Sequence, residues 1–397
     1  ERPDIDGVYM KVCQMMTGQG GWPLTVLMTP DQVPFYAGTY FPKESKYGRP
    51  GLIELLTGLH KKYVDDPEHI EDVTKSVTNA LQQATELKSD ERLTKKAIDE
   101  AFQQLVEKFD MDYGGFKPAP KFPQPQNLMF LLNYHFFTGN QQALQMAEKT
   151  LQSMANGGIF DQVGYGFSRY STDEEWLVPH FEKMLHDNAL LLIAYTECYQ
   201  VTKNPFYKQV SEQIIEFVKR EMTSTDGAFY SAIDADSEGV EGKYYVWEYE
   251  EIFEVLGEEL GELYATVYNI TPNGNFEGKN NPNKIEHNVS QIAHENNLSI
   301  DELQEKLEGA RKQLLQYREK RVYPHVDDKI LTAWNSMMIT ALAIAGRVYN
   351  EDSYTNAAEK AVQFIENNLF DKERLMARYR DGETKFKAYV DDYVFLI

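Results

Sequence analysis

Beyond about residue 93 the apolar positions of this chain recur at spacings of three and four, in two densities. Leu144, Ala147, Leu151 and Met154 form one stripe; Tyr207, Val210, Ile214 and Phe217 form a second, and Tyr354, Ala358, Ala361 and Ile365 a third. Each set lies on one face of a helix whose other face is polar. In 128–137, 189–196, 330–345 and 393–397 the apolar residues run right round the helix, so these segments need cover on every side. The alternation predicts half-buried outer helices packed on fully buried inner ones, as in a ring of helical hairpins or an α-solenoid. Glycine-rich turns at 112–116, 156–167, 225–230 and 272–276 recur at about the length of one hairpin with its loops.

Residues 1–88 follow a different rule. The runs 23–28 and 34–41 are short, rich in Val, Thr and aromatics, and separated by the turn residues of "TPDQ", which predicts a β-hairpin. Leu52, Leu55, Leu56 and Leu59 mark a helix after it, and a second, more polar helix runs to about residue 87. The charged segment 88–94 carries no apolar period, and the expected boundary falls there: 1–88 as an α/β region, 89–397 as a mainly α domain.

Charge narrows the range of partners. The chain has 397 residues, 62 acidic and 40 basic, for a formal net charge of −22. Such a surface repels phosphate, which argues against nucleic acid and anionic membrane. Its uncharged apolar run 330–346 is too short and too polar to span a bilayer. Cys13 and Cys198 stand alone, which is no disulfide framework and suits the reducing cytoplasm. The chain opens without a methionine and closes inside an apolar run, so a fragment of a longer protein is expected.

The candidate chemistry gathers where buried helices begin. In "WLVPHFEKMLHDNALLL" a helix expected to start at Pro179 carries His180, Glu182, His186 and Asp187 before it becomes apolar. Asp328 and His325 precede the apolar run at 330, and Asp391 precedes the last. Asp161, Tyr165 and Arg169 lie in the loop leading to the first. Helical spacing would pair His180 with Asp187 and Glu182 with His186, each an acid able to orient an imidazole for proton transfer. Acids also favour helix amino termini through the macrodipole and capping alone, so both readings stand. "DADSEGVEGKYY" matches a calcium loop only in part, with Tyr245 where a bidentate Glu belongs. No phosphate loop, dinucleotide fingerprint or serine elbow is present, and neither metal nor cofactor is expected.

The stretches "GQGGWPLTVLMTP", "FYAGTYFP", "WLVPHFEKMLHDNALLL", "DADSEGVEGKYYVW" and "DDKILTAWNSMMI" resemble the YyaL-like family, which includes spermatogenesis-associated protein 20. The resemblance implies a thioredoxin-like domain fused to a six-hairpin (α/α) toroid, with the first domain partial and the toroid incomplete at its carboxy-terminal end. It places Pro23 at the thioredoxin cis-proline and the family's Cys-x-x-Cys upstream of Glu1, so this chain as given would not carry out dithiol–disulfide exchange. The toroid is similar to those of N-acylglucosamine 2-epimerases and six-hairpin glycosidases, which bind sugars in a central crater.

Two functions follow as expectations. In the first the toroid binds or modifies a saccharide. An epimerase-type reaction would use His180 and His325 as the acid–base pair, oriented by Asp187 or Asp328. A hydrolase would draw two carboxylates from Asp161, Glu182, Asp234 and Asp328. Tyr165, Trp176, Trp247 and Trp334 would stack on the sugar, and Arg169, Asp234, Asp236, Asn335 and Asp391 would complete the binding set. In the second the protein is a thioredoxin-linked quality-control factor whose toroid holds a ligand or protein partner without catalysis.

Overall fold

The computed structural model describes residues 2–46, 48, 50–85, 94–116, 118–285 and 289–397. The chain divides into two compact units, Glu1–Thr94 and Lys95–Ile397. The boundary expected at 88/89 lies outside the described residues.

In the first unit, helix α1 (Pro3–Thr17) begins with a proline and with Asp4 and Asp6 in its first turn, and it stops at Gly18 in the left-handed conformation. Strands β1 (Thr25–Met28) and β2 (Pro34–Gly38) form the expected antiparallel hairpin, with a bulge between Leu27 and Met28. Helices α2 (Leu52–Asp65) and α3 (Pro67–Thr85) follow. Val12, Cys13, Ala37 and Val77 make the core, drawn from α1, β2 and α3. The Trp22–Pro23 peptide is cis.

The second unit holds α4 (Lys95–Lys108), α5 (Pro125–Thr138), α6 (Gln141–Asn156), α7 (Leu185–Thr202), α8 (Pro205–Phe217), α9 (Tyr249–Leu256), α10 (Glu258–Val267), α11 (Val289–Glu295), α12 (Ile300–Arg318), α13 (Thr332–Tyr349), α14 (Asp352–Asn368) and α15 (Val390–Leu396). Helix α7 packs between α5 and α13, and α13 in turn packs on α15, which gives a row of inner helices. Helices α6, α8 and α14 back α5, α7 and α13 respectively as an outer layer. This is the hairpin layering of an (α/α) toroid, with α5, α7, α13 and α15 as its inner helices among the described residues. Helices α9, α10 and α12 enclose a separate core around Trp247, Ile252, Tyr264, Leu303 and Leu314. No helix among the described residues is long and apolar enough to cross a membrane.

The inner row coincides with the segments that are apolar all round, but cover is complete only in its middle. From Leu191 to Thr196 every residue of α7 is buried. Phe136 and Phe137 of α5 are 73% and 79% exposed, and Val394, Phe395 and Ile397 at α15 are also exposed. The physical reason is neighbour number: α7 has an inner helix on each side, whereas among the described residues α15 packs mainly on α13 in this row.

Short strands decorate the loops that lead into the inner helices. Strand β3 (Tyr170–Ser171) pairs with β4 (Pro179–His180); β5 (Lys183–Met184), β6 (Ala232–Ile233) and β9 (Val326–Asp327) form a small antiparallel sheet. Strands β7 (Asp236–Ser237) and β8 (Val240–Glu241) form a hairpin. Strand β10 (Ile330–Leu331) pairs with β12 (Arg374–Arg380), which also pairs with β11 (Phe370–Asp371) and β13 (Glu383–Lys387). These strands correct the helix start expected at Pro179. Pro179–His180 and Lys183–Met184 are extended because each is hydrogen-bonded as a strand, and the helix begins only at Leu185.

The same device fixes two of these loops. Asn188, in the first turns of α7, accepts the Phe167 N–H at 2.8 Å and donates to the Phe167 and Met184 carbonyls at 3.0 Å each. Asn335 in α13 repeats it on Phe229 (2.8 and 3.0 Å) and Leu331 (3.0 Å). Both amides are fully buried, so their donors and acceptors have no water to fall back on and must be satisfied by these backbones. Asp392 adds a third link: its carboxylate accepts the Ala333 N–H at 3.0 Å, tying α15 to the start of α13.

Candidate active site

The start of α7 carries a graded cluster of ionisable groups. Side-chain exposure falls from 46% at Glu241 through 34% at Arg169, 30% at His180 and 25% at Glu182 to 17% at Asp187. Strand β4 presents His180, and the β7–β8 hairpin brings Glu241 to its Nδ1 at 2.7 Å. The imidazole stacks on Tyr170 with centroids 5.1 Å apart, and its Nε2 lies 3.8 Å from Glu182. Arg169 donates to the same Glu182 oxygen at 2.9 Å. One polar surface therefore alternates acid, imidazole, acid and guanidinium.

Beside them lie His186 and Asp187, whose Nε2 and Oδ1 are 3.3 Å apart. The indole of Trp334, from α13, covers the His186 ring at 4.4 Å. His186 Nδ1 and Asp187 Oδ2 are buried with no hydrogen-bond partner among the described residues. Burial dominates both ionisations. It brings His186 down to about 4, helped by the Arg169 charge. It pushes Asp187 up to about 7, with Arg169 opposing and Glu182 adding to the rise. Between about pH 4 and 7 the pair is thus a carboxylic acid beside a neutral imidazole, the reverse of an aspartate steadying an imidazolium. A largely buried proton donor next to more exposed carboxylates is an arrangement that suits acid–base chemistry.

The expected helical pairing of His180 with Asp187 and of Glu182 with His186 does not form. His180 and Glu182 lie in extended chain, where helical spacing has no meaning, and His180 takes Glu241 from another hairpin.

The remaining candidates separate. Asp161 joins a closed ion cluster with Lys183 at 2.8 Å and a two-pronged Arg318 at 2.9 Å, and it also accepts the Val163 and Gly164 N–H groups. Burial opposes its charge, but Arg318 and Lys183 outweigh burial and hold the carboxyl well below the usual range. A side chain at Gly164 would run into Arg318, so that turn requires glycine. Trp176 and Trp247 are fully buried, the first donating to the Tyr113 carbonyl at 3.0 Å and the second covered by Arg321. Asn335 is the loop clamp described above. Tyr165 is buried and donates to Glu308 of α12 at 3.2 Å. Asp328 pairs with Arg380 at 2.7 Å, while His325 and Asp391 are exposed. Asp234 and Asp236 are exposed too, the Asp234 carboxylate accepting the Asp236 N–H at 3.1 Å. Among the described residues no hydrogen bond, ion pair or ring contact joins His325 or Asp328 to the His180–Asp187 group.

Sequence reasoning named His180, Glu182, Asp187, Arg169 and Trp334 as candidates, and the structure brings them together. It missed Glu241, 61 positions from His180. The available signal was the "SEGVEG" hairpin, whose turn aims the second Glu back along the strand. In the first unit Cys13 is fully buried, its thiol directed at the Gln19 carbonyl and the Thr17 hydroxyl.

Residues 1–82 match the family model Thioredox_DsbH, described as "Protein of unknown function, DUF255". Across its whole length the chain is 36% identical to human spermatogenesis-associated protein 20, covering 56% of that protein. Mouse spermatogenesis-associated protein 20 is 36% identical over 94% of the chain, and 51% of the mouse protein is covered. The chain therefore spans about half the length of the curated relatives it matches. Among solved structures, cellobiose 2-epimerase from Bacillus thermoamylovorans aligns with 76% of this chain and 98% of its own, at 12% identity and TM-score 0.31. The GH76A α-1,6-mannanase of a Salegentibacter species aligns with 81% of this chain and 60% of its own, at 12% identity and TM-score 0.36.

Proposed function

We propose, for a chain that belongs to the family of spermatogenesis-associated protein 20, that the start of α7 binds a saccharide and acts on it by proton transfer. One observation carries the reading: Asp187 is a largely buried carboxyl raised to about 7, with an unpartnered buried oxygen among the described residues, beside a surface rich in hydrogen-bonding side chains. Asp187 is the proton donor. Glu182, held by Arg169, and His180, held by Glu241, are the groups placed to accept a proton from the ligand. Carboxylates and a guanidinium at the rim suit hydroxyl groups, which both donate and accept. Tyr170 and Trp334 add ring surface for the apolar face of a pyranose.

The test is a thermal-shift and calorimetric screen of mono- and disaccharides against wild type, Asp187→Asn and His180→Ala. A binding sugar raises the melting temperature of wild type and of Asp187→Asn, whose amide imitates the protonated acid, and binds more weakly to His180→Ala. Turnover, followed by exchange of sugar C–H with deuterium or by release of reducing ends, is lost in Asp187→Asn. Absence of a shift with every saccharide, or an unchanged response in His180→Ala, overturns the proposal.

A further inference from the structure

A cavity of about 320 Å³ lies away from that cluster, between the end of α6, the 160–165 loop, α8, the end of α10 and α12. Phe160, Phe206, Val210, Tyr268 and Leu307 supply apolar wall. Among the described residues its charged lining is Lys284, Glu308 and Arg311. Glu308 is fully engaged: Arg311 donates to both its oxygens at 2.7 Å, and the Tyr165 hydroxyl donates to one of them at 3.2 Å. Arg311 spends its remaining nitrogen on the Val163 carbonyl at 2.9 Å and stacks its guanidinium 4.3 Å over the Tyr165 ring. That acid and that base cancel, and neither is free for a ligand.

Lys284 is left over. Among the described residues its ammonium has no hydrogen-bond acceptor and no carboxylate partner, and the surrounding protein desolvates it enough to bring its pKa down to about 8. Lys284 is half-buried; a cation partly withdrawn from water without a counter-ion is disfavoured, and an anion entering the cavity relieves that cost. The volume lies at the small end of ligand sites. One uncompensated positive charge matches a monoanion; a phosphate dianion would leave one unpaired charge in place of another. From this geometry we infer that the cavity is a binding site for a small monocarboxylate, its carboxylate on Lys284 and its body against Phe160, Val210 and Tyr268. This site is independent of the saccharide reading, and neither depends on the other.

Isosteric pairs that differ only in charge provide the test. Benzoate against benzamide, and propionate against propionamide, are titrated calorimetrically into wild type and Lys284→Met. At least one carboxylate binds wild type, and its amide binds at least tenfold more weakly. In Lys284→Met the carboxylate loses at least tenfold and the amide does not. Without ligand, Lys284→Met melts at or above the wild-type temperature, since it removes a half-buried charge that has no partner among the described residues; a purely structural lysine predicts a lower melting temperature. Equal binding of acid and amide, no binding of either carboxylate, or a destabilised Lys284→Met that still binds benzoate as wild type does, overturns the inference. Inorganic phosphate binding more tightly than either carboxylate overturns the choice of a monoanion.

Discussion

Two aspartates that sequence pattern alone treats as equivalent, Asp161 and Asp187, have opposite electrostatic fates. Both are poorly exposed, at 8% and 17% of the side chain. Asp161 receives two cations and two backbone N–H groups, and its carboxyl is held far into the ionised range. Asp187 receives none of these, and its carboxyl is pushed to about 7. Burial acts in the same direction on each; the supply of donors decides the outcome. An acid in a closed cluster holds loops together, whereas an acid without donors retains a proton that can be given away.

Asp161 is the position where a substitution has the largest expected effect. Replacement by Asn leaves Lys183 and Arg318 buried without their charge partner, at a cost of about 3–5 kcal/mol. Urea denaturation should register that loss. Because the folded carboxyl lies below the unfolded value, its stabilisation is present above about pH 4. It is lost only as pH falls through the depressed folded value, so the deficit of the variant persists into acid. Asp187→Asn should do the reverse. Its folded pKa exceeds the unfolded one, so wild type bears no penalty below about pH 4, a growing one up to pH 7 and a constant one above. The variant should therefore gain on wild type across that window, on the order of 2–3 kcal/mol after allowance for partial exposure. A flat difference between pH 4 and 7 would contradict the raised carboxyl.

Smaller changes sharpen the same contrast. Arg169 lowers both His186 and Asp187, so Arg169→Met should raise both, each by a fraction of a unit to about one unit. Glu182 raises Asp187, so Glu182→Gln should lower it by less still. Carboxyl and imidazole resonances followed by NMR titration distinguish the two signs. If both variants move Asp187 the same way, these charges do not act on it as described.

Much of the fold was written in the apolar pattern. The inner helices are recognisable because α7 and α13 need cover on every side, and the outer ones because their stripes have a polar back. The site was less legible, for three physical reasons. Trp176 and Trp247 are aromatic in either role, and only tertiary packing assigns them to the interior. Asn335 looks like a ligand-binding amide, but its partner is the backbone of Phe229, 106 residues away. Pro179 signals a helix start locally; the β3–β4 pairing overrides it, a nonlocal preference that no window of neighbouring residues contains.

The paired carboxamide clamps have a further consequence. Asn188 and Asn335 lock the loops entering α7 and α13 from within the core, before any guest molecule arrives. A ligand meeting those loops finds a preorganised wall and incurs little ordering penalty on the protein side. Selectivity there should then come from the fit of the guest to a rigid outline rather than from mutual adjustment, and rigid guests should outcompete floppy ones of equal size.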